Sequence, residues 1–257
     1  MNAGNPNDSA HVATASPEPK AILRPQYAAL ARVFAYPDGD YMRHVAECQT
    51  LLDECYPEAA AEFARFSGFI SGHNAWECEE IYTKTFHIQA ICYLDLGYVL
   101  FGEDYKRGEF LVHMKAEQAK VAIDCGAELP DNLANVLRLM AVTEDEEFLS
   151  ELAVRVVAPS LASMVSEFDE ARIQLKEKVL QKLHRALIQQ DLPGGNVYRH
   201  ALAALARVIA VDFSGIHFDD PKQQPALGGG FLRNCEGGCA PNPLHAPVKQ
   251  DLSVGML

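Results

Sequence analysis

The chain lacks the short patterns that announce several common enzyme classes. It contains no G-x-S-x-G turn, the usual signal of a serine hydrolase nucleophile. The triple glycine at 228–230 is not followed by a lysine and a helical pattern, which argues against a phosphate-binding loop. The Glu-x-x-His pair that di-iron helical bundles require is also absent. We therefore expect that the protein is not an enzyme.

Basic charge is scarce, and long apolar runs are missing. The 22 Lys and Arg residues face 35 Asp and Glu residues, for a formal net charge of −13. Such a chain repels phosphate and attracts basic partners, so we expect no binding to nucleic acid. No stretch approaches the roughly 20 apolar residues of a membrane-spanning helix. Residues 1–19 do not have the pattern of a secretory signal. We expect no membrane span and a cytoplasmic location.

The sequence offers weak candidates for a metal site. Cys235 and Cys239 lie four residues apart in a Gly-rich stretch, but structural zinc needs four ligands and no second cysteine pair follows. His113 lies one helical turn from both Glu109 and Glu117, a spacing that is equally typical of a solvated helix face. We expect no metal and no cofactor. A metal or redox sensor that uses Cys235 and Cys239 stays open as an alternative.

Helical periodicity dominates the chain between Tyr27 and Phe213, without convincing β-alternation. Cys92–Phe101 is apolar enough for a buried helix, although its aromatic content leaves a strand open. A long helix, in one or two pieces, is predicted over Ser160–Gln190, and the last one over Val197–Val211. These patterns predict an all-α fold with one compact multi-helix domain. The predicted divisions are a disordered N-terminal segment 1–24, the helical domain 25–214 and an irregular Gly/Pro-rich tail 215–257.

Glycine, proline and capping residues predict the boundaries of several helices. Gly126 is expected at the C-terminal end of a long amphipathic helix over Tyr105–Cys125. Another helix is expected from Pro130, as its first residue, to Ala141. Thr143 to Glu146 has the form of a capping box that opens the next helix, which Pro159 is expected to kink or end.

The most informative segment runs from Tyr82 to Leu137. It contains Tyr82-x-x-x-Phe86, Tyr93-Leu94-x-x-x-Tyr98, Phe101-Gly102-Glu103-Asp104-x-x-Arg107-Gly108 and Glu128-Leu129-Pro130-Asp131-x-Leu133. This segment resembles the NarJ/TorD/DmsD family of all-helical chaperones, which help to assemble molybdenum-containing redox enzymes. Two positions depart from the family pattern. His87 stands where an acid usually follows Phe, and Asn132 stands where His usually follows Pro-Asp.

The resemblance implies a function in binding rather than catalysis. The expected partner is the catalytic subunit of a molybdopterin oxidoreductase, held by its twin-arginine leader or as the apo-subunit until the cofactor is inserted. Glu128 and Asp131 are the expected partners of the leader's arginines, although each also suits a purely structural role at a helix start. A permanent, non-catalytic subunit of the mature oxidoreductase remains the main alternative. The residues expected to contact the client are Tyr82, Phe86, His87, Tyr98, Arg107, Glu128, Pro130, Asp131 and Asn132.

Overall fold

A computed structural model describes residues 21–88, 90–169 and 197–217. Throughout these ranges the backbone forms helices and no strand, which confirms the predicted all-α fold. The predicted segment 1–24, the tail 215–257 and the helix Ser160–Gln190 lie largely outside the described residues. The helices are α1 Pro25–Phe34, α2 Tyr41–Cys55, α3 Pro57–Ile70, α4 Ala75–Phe86, α5 Leu96–Phe101, α6 Tyr105–Lys120, α7 Leu133–Val142, α8 Glu146–Leu152, α9 Ala158–Ser166 and α10 Tyr198–Asp212.

The core forms where α1 packs against α7 and α2, and where α3 packs against α2 and α10. Buried tyrosines join these layers through their hydroxyl groups. The Tyr41 and Tyr198 hydroxyls lie 2.7 Å apart, and Tyr41 also donates to the main-chain oxygen of Val33 at 2.9 Å. Tyr82 donates to the main-chain oxygen of Phe34 at 3.2 Å. Each large ring therefore enters the core with its polar end satisfied, as burial requires.

The prediction for α6 is wrong at its C-terminal end. The helix ends at Lys120 rather than Cys125. The chain then reverses through Ala122, whose φ of 57° is left-handed, and the N–H of Ile123 returns to the oxygen of Gln118 at 3.0 Å. Gly126, which was expected to end the helix, lies in the loop that follows, where it has a left-handed φ of 62°.

The predicted start of α7 is also wrong. The helix begins at Leu133 rather than Pro130, and Asn132 is its N-cap. The Asn132 side chain accepts a hydrogen bond from the N–H of Ala134 at 3.0 Å. A proline is compatible with a helix start, but this one lies three residues too early because the main-chain oxygen of Asp131 is engaged elsewhere.

The capping box predicted at Thr143 is not formed. Thr143 ends α7, and Asp145 caps α8 by accepting from the N–H of Phe148 at 2.9 Å. Pro159 does not end the helix either. A π-helical turn over Ala153–Val157 connects α8 to α9, and Pro159 lies in the first turn that follows. The wider turn accommodates a residue that has no N–H to donate.

The combined helix Glu146–Ser166 has the length and composition that a membrane crossing needs, a match that the sequence reading did not find. Within the protein, 56% of its most apolar 18-residue window is buried. Core helices of this kind satisfy the same criterion, so the match does not by itself indicate a membrane segment.

Asp212, at the end of α10, ties that helix to the first half of the domain. Its carboxylate accepts hydrogen bonds from Gln26 Nε2 at 2.9 Å, the Tyr27 hydroxyl at 2.5 Å and the Tyr56 hydroxyl at 2.7 Å. An acidic residue at a helix C-terminus opposes the helix dipole. These hydrogen bonds offset that cost and anchor α10 against α1 and the α2–α3 junction.

We predict that Asp212→Ala lowers the free energy of unfolding by about 1–3 kcal/mol, because two hydroxyls and an amide lose a charged acceptor. Urea unfolding of the full chain, followed by circular dichroism, measures the change. Asp53→Ala is the matched control, since Asp53 is exposed on α2 and accepts from Gln49 alone among the described residues. Equal effects of the two substitutions would contradict the anchoring role.

Candidate functional site

The start of α5 and the start of α7 lie side by side. Helix α5 covers only the second half of the predicted Cys92–Phe101 helix. Before it, Asp95 forms an isolated antiparallel bridge with Asn132, and the N–H of Leu96 donates to the main-chain oxygen of Asp131 at 2.9 Å. The strand that the aromatic content left open at Cys92–Phe101 is therefore present only as a single bridge. This bridge joins the two parts of the segment Tyr82–Leu137.

A partly buried group of charged residues around a glycine, here called the clasp, lies at this junction. It consists of Asp95, Gly97, Arg107 and Asp131. The Asp131 side chain is fully buried, and its Oδ2 accepts from the N–H of Gly97 at 3.0 Å. Arg107 places Nε 4.0 Å from Asp131 Oδ2 and Nη2 3.4 Å from Asp95 Oδ2. Its guanidinium also lies 5.2 Å from the ring centroid of Tyr98. Arg107 is therefore within ion-pair distance of both carboxylates.

Burial sets the protonation of the clasp. Burial, and after it the neighbouring Asp95, raise the pKa of Asp131 from 3.8 to about 6, whereas Arg107 and the Gly97 N–H act to lower it. Burial also raises the pKa of Asp95, against the opposing effects of Arg107, His87 and Asn132. Consistent with an under-satisfied site, Asp131 Oδ1 and Arg107 Nε make no hydrogen bond within the described parts of the chain.

A groove of about 470 Å³, here called the α1–α7 groove, lies next to the clasp. Helices α1 and α7 form its floor, and residues 121–130, here called the strap, form one wall. At one end the Tyr36 ring meets the Tyr82 ring edge-on at 5.4 Å, and Glu128 lies beside Asn132 with 3.4 Å between Oε2 and Nδ2. Arg32 also lines the groove.

Side chains from α6 and α7 hold the strap in place. The strap lies outside the helices, so its carbonyl groups need partners from elsewhere. Gln118 Nε2 donates to the oxygen of Pro130 at 2.8 Å, Asn135 Nδ2 to that of Leu129 at 3.0 Å, and Arg138 Nη1 to that of Asp124 at 2.8 Å. These three hydrogen bonds therefore fix the backbone of the strap, and with it this wall of the groove.

Three of the residues predicted to contact a client line the groove. Glu128 contributes a carboxylate there, whereas Tyr82 and Asn132 are only 1% and 4% exposed and lie beneath the surface of the groove. Glu128 is exposed, so its carboxylate is accessible to a bound molecule. Pro130 ends the strap and is half-buried. Contact between these residues and a client remains a prediction.

The other predicted residues lie elsewhere. Asp131 and Arg107 belong to the clasp, with Tyr98 stacked against it. Phe86 is buried in the core, 4.7 Å from the ring of Tyr198, and His87 is exposed at the end of α4. For Asp131, pairing with an arginine of a client would require the clasp to open.

The weaker metal candidates gain no support. Cys235 and Cys239 fall outside the described residues. In the parts of the chain that the structure describes, no cluster of three or more His, Cys, Asp and Glu side chains is suited to a metal ion.

The sequence reading missed Tyr36, Arg32 and Arg138 as residues of the groove. Tyr36 carried a usable signal, since an aromatic residue stands directly before Pro37 at the end of a helical pattern; the structure leaves it 51% exposed. The two arginines carried none, because only the packing of α1 on α7 places both on the same groove. Gly97 was also missed, and its importance depends on a neighbour 34 residues away.

No protein-family model matches this chain, and no curated protein matches it significantly. The fold and site therefore define an all-α protein with an open, aromatic-ended groove.

The pH dependence of stability tests the burial of Asp131. Its pKa is raised in the folded state, so the folded protein holds this proton more tightly than the unfolded chain, and stability falls as pH rises from about 4 to about 6. We predict that Asp131→Asn removes this decline. Relative to wild type, the variant should gain on the order of 1–3 kcal/mol between about pH 4 and pH 7. Urea titrations across this range measure it, and parallel pH profiles for the two proteins would contradict the account.

The clasp also predicts that position 97 tolerates no side chain. A Cβ there would lie 2.7 Å from Asp131 Oδ2 and 2.9 Å from Phe110 Cδ1. We expect Gly97→Ala to destabilise the protein by about 1–3 kcal/mol. Gly108→Ala is the control, since a Cβ at that exposed position of α6 meets nothing within 4 Å. Alanine should stabilise α6 there by up to about 1 kcal/mol. Thermal melts that show the same sign for both changes would count against the close approach.

Proposed function

We propose that this protein is a cytoplasmic assembly chaperone that holds a basic, apolar segment of a molybdopterin oxidoreductase catalytic subunit in the α1–α7 groove. The supporting observation is the aromatic end of that groove. There Tyr36, which is 51% exposed and packs edge-on against the buried ring of Tyr82, offers ring surface beside the exposed carboxylate of Glu128. A leader that presents arginines next to an apolar stretch matches both properties.

The size and surface of the groove suit a few side chains of a peptide. Its volume of about 470 Å³ falls within the range of about 300–1,000 Å³ that is usual for binding pockets. Alanines 28, 31, 35 and 134 keep large side chains off the floor, so a peptide backbone can approach the helices closely. Burial of apolar side chains against this floor would supply affinity.

Charge supports the same choice of partner. The net charge of −13 attracts a basic segment over distance and raises its encounter rate. Near the aromatic end, Glu79 accepts from the Tyr36 hydroxyl at 3.2 Å and adds a second carboxylate to that of Glu128. A guanidinium placed over Tyr36 would therefore meet an aromatic face and negative charge together.

The clasp has a supporting part in this proposal. It fixes the strap and the start of α7, and these position Glu128 and Asn132 at the groove. Asp131 would thus act on binding through structure, while Glu128 would meet the client directly. Release of the client after cofactor insertion would need no cofactor bound to the chaperone itself.

Substitution of Glu128 tests the proposal. The probe is a synthetic peptide of the twin-arginine leader from a molybdoenzyme encoded beside this protein, titrated in a calorimeter at low and high salt. We expect Glu128→Gln to weaken binding about three- to tenfold, and the loss to shrink as salt screens the charges. Glu54→Gln is the matched control, because it makes the same charge change at an exposed position of α2.

The proposal fails in either of two cases. The first is equal affinity of the Glu128 and Glu54 variants for the leader. The second is the absence of binding by wild type to both the leader and the whole apo-subunit.

A further inference from the structure

A second groove, here called the α9–α10 groove, lies between α9 and α10. Its volume of about 430 Å³ falls within the range that is usual for binding pockets. Leu161 and Val165 line it from α9, Ile209 lines it from α10, and alanines on both helices leave the space between them. The groove therefore suits a few apolar side chains.

The α9–α10 groove runs lengthwise between two antiparallel helices. Asp169, just after α9, lies 3.7 Å from Arg199 near the start of α10, so the two helices run in opposite directions. Val154, before α9, and Phe213, after α10, both line the groove at its other end. From Phe213 the groove therefore extends back along α10 to Ala203.

The chain turns back onto this groove after α10. Gly215 has a φ of 79°, in the left-handed region that favours glycine, and the N–H of Ile216 donates to the oxygen of Phe213 at 3.2 Å. The Ile216 side chain lines the groove and is half-buried, whereas His217 is exposed. The chain is therefore placed at one end of the groove, and the rest of the groove leads back from there along α10.

The residue that follows His217 is apolar and aromatic. Alternate side chains of an extended segment lie on the same side of the backbone. In an extended continuation, Phe218 therefore follows Ile216 into the groove while His217 faces away from it. An aromatic side chain placed there would cover apolar surface and gain free energy from its own burial.

The next residues match the charge of the groove. Arg207 is the only charged side chain among the described residues that line it, and 46% of that side chain is exposed. It lies six residues before Phe213, or about 9 Å along the helix, and an extended chain covers this distance in about three residues. Asp219 and Asp220 lie three and four residues beyond the last residue that lines the groove.

We propose that residues 218–220 dock in the α9–α10 groove of their own chain, with Phe218 on its apolar floor and an aspartate beside Arg207. The contact of Arg207 with Glu62, at 3.5 Å, is a weak surface ion pair and exchanges readily for a better-placed carboxylate. A tethered segment is present at an effective concentration on the order of millimolar, so modest contacts are sufficient. This inference does not depend on the proposed function. It reserves the α9–α10 groove for the chain itself.

Photo-cross-linking of the full-length protein tests the docking. The probe is p-benzoylphenylalanine in place of Phe218, and peptide mapping by mass spectrometry locates its products after irradiation in dilute solution. We expect cross-links to α9 and α10 within one molecule. The matched control carries the same probe in place of Phe231, beyond the triple glycine of the same tail. It should give these products at least about fivefold less often, because it meets the groove only transiently.

Substitutions separate the apolar contact from the charged one. Phe218→Ala should lower the melting temperature by about 3–6 °C, since a buried ring is lost, whereas Phe231→Ala should leave it unchanged. Arg207→Gln should reduce the cross-linking yield from position 218 about twofold at low salt and little at high salt. Arg65→Gln is its control, because Arg65 is exposed on α3 and also acts on Glu62.

Three results would overturn the proposal. Cross-links between two molecules would make a second copy the occupant of the groove. Equal yields from positions 218 and 231, or products on elements other than α9 and α10, would show that residues 218–220 do not dock there. A Phe218→Ala variant that melts at the same temperature as the Phe231→Ala variant would exclude the apolar contact. None of these results bears on the binding of a leader peptide in the α1–α7 groove.

Discussion

The buried carboxylate of Asp131 is the contact on which the geometry of the site depends. Its hydrogen bond to the N–H of Gly97 and its ion pair with Arg107 join α5, α6 and the start of α7, which are distant in sequence. Isolating a carboxylate in this way is costly, and its raised pKa expresses that cost. The same contacts hold the start of α7 at Asn132. This fixes the position of the strap and therefore of the groove wall.

The course of most helices could be read from hydrophobic period, because burial on one side imposes that period directly. The α2, α3 and α4 segments follow this rule. Boundaries were less readable where distant groups compete for the same backbone. Gly126 and Pro130 are strong local signals, yet α6 ends earlier, at the left-handed turn through Ala122, and α7 starts later, after the Asp131 carbonyl has bonded to the start of α5. Local propensity is a weak prior against such tertiary contacts.

The candidate site was readable in part. The motif residues are divided among the groove, the clasp and the core, and His87 is exposed at the end of α4. Glu128 and Asp131 look alike in sequence, three residues apart, whereas one is exposed and the other is fully buried. The difference comes from tertiary packing, which places Gly97 against the Asp131 side chain but leaves Glu128 at the surface. Arg32 and Arg138 were out of reach because only the packing of α1 against α7 makes both residues line one groove.

Hydrogen–deuterium exchange with and without a twin-arginine leader peptide tests most directly whether the α1–α7 groove is the binding site. Binding there should slow exchange in α1 and in strap residues 121–130, which form its floor and wall. Exchange should stay unchanged in α10, which borders a separate apolar groove against α9. Protection confined to α9 and α10, or none at saturating peptide, would contradict the account.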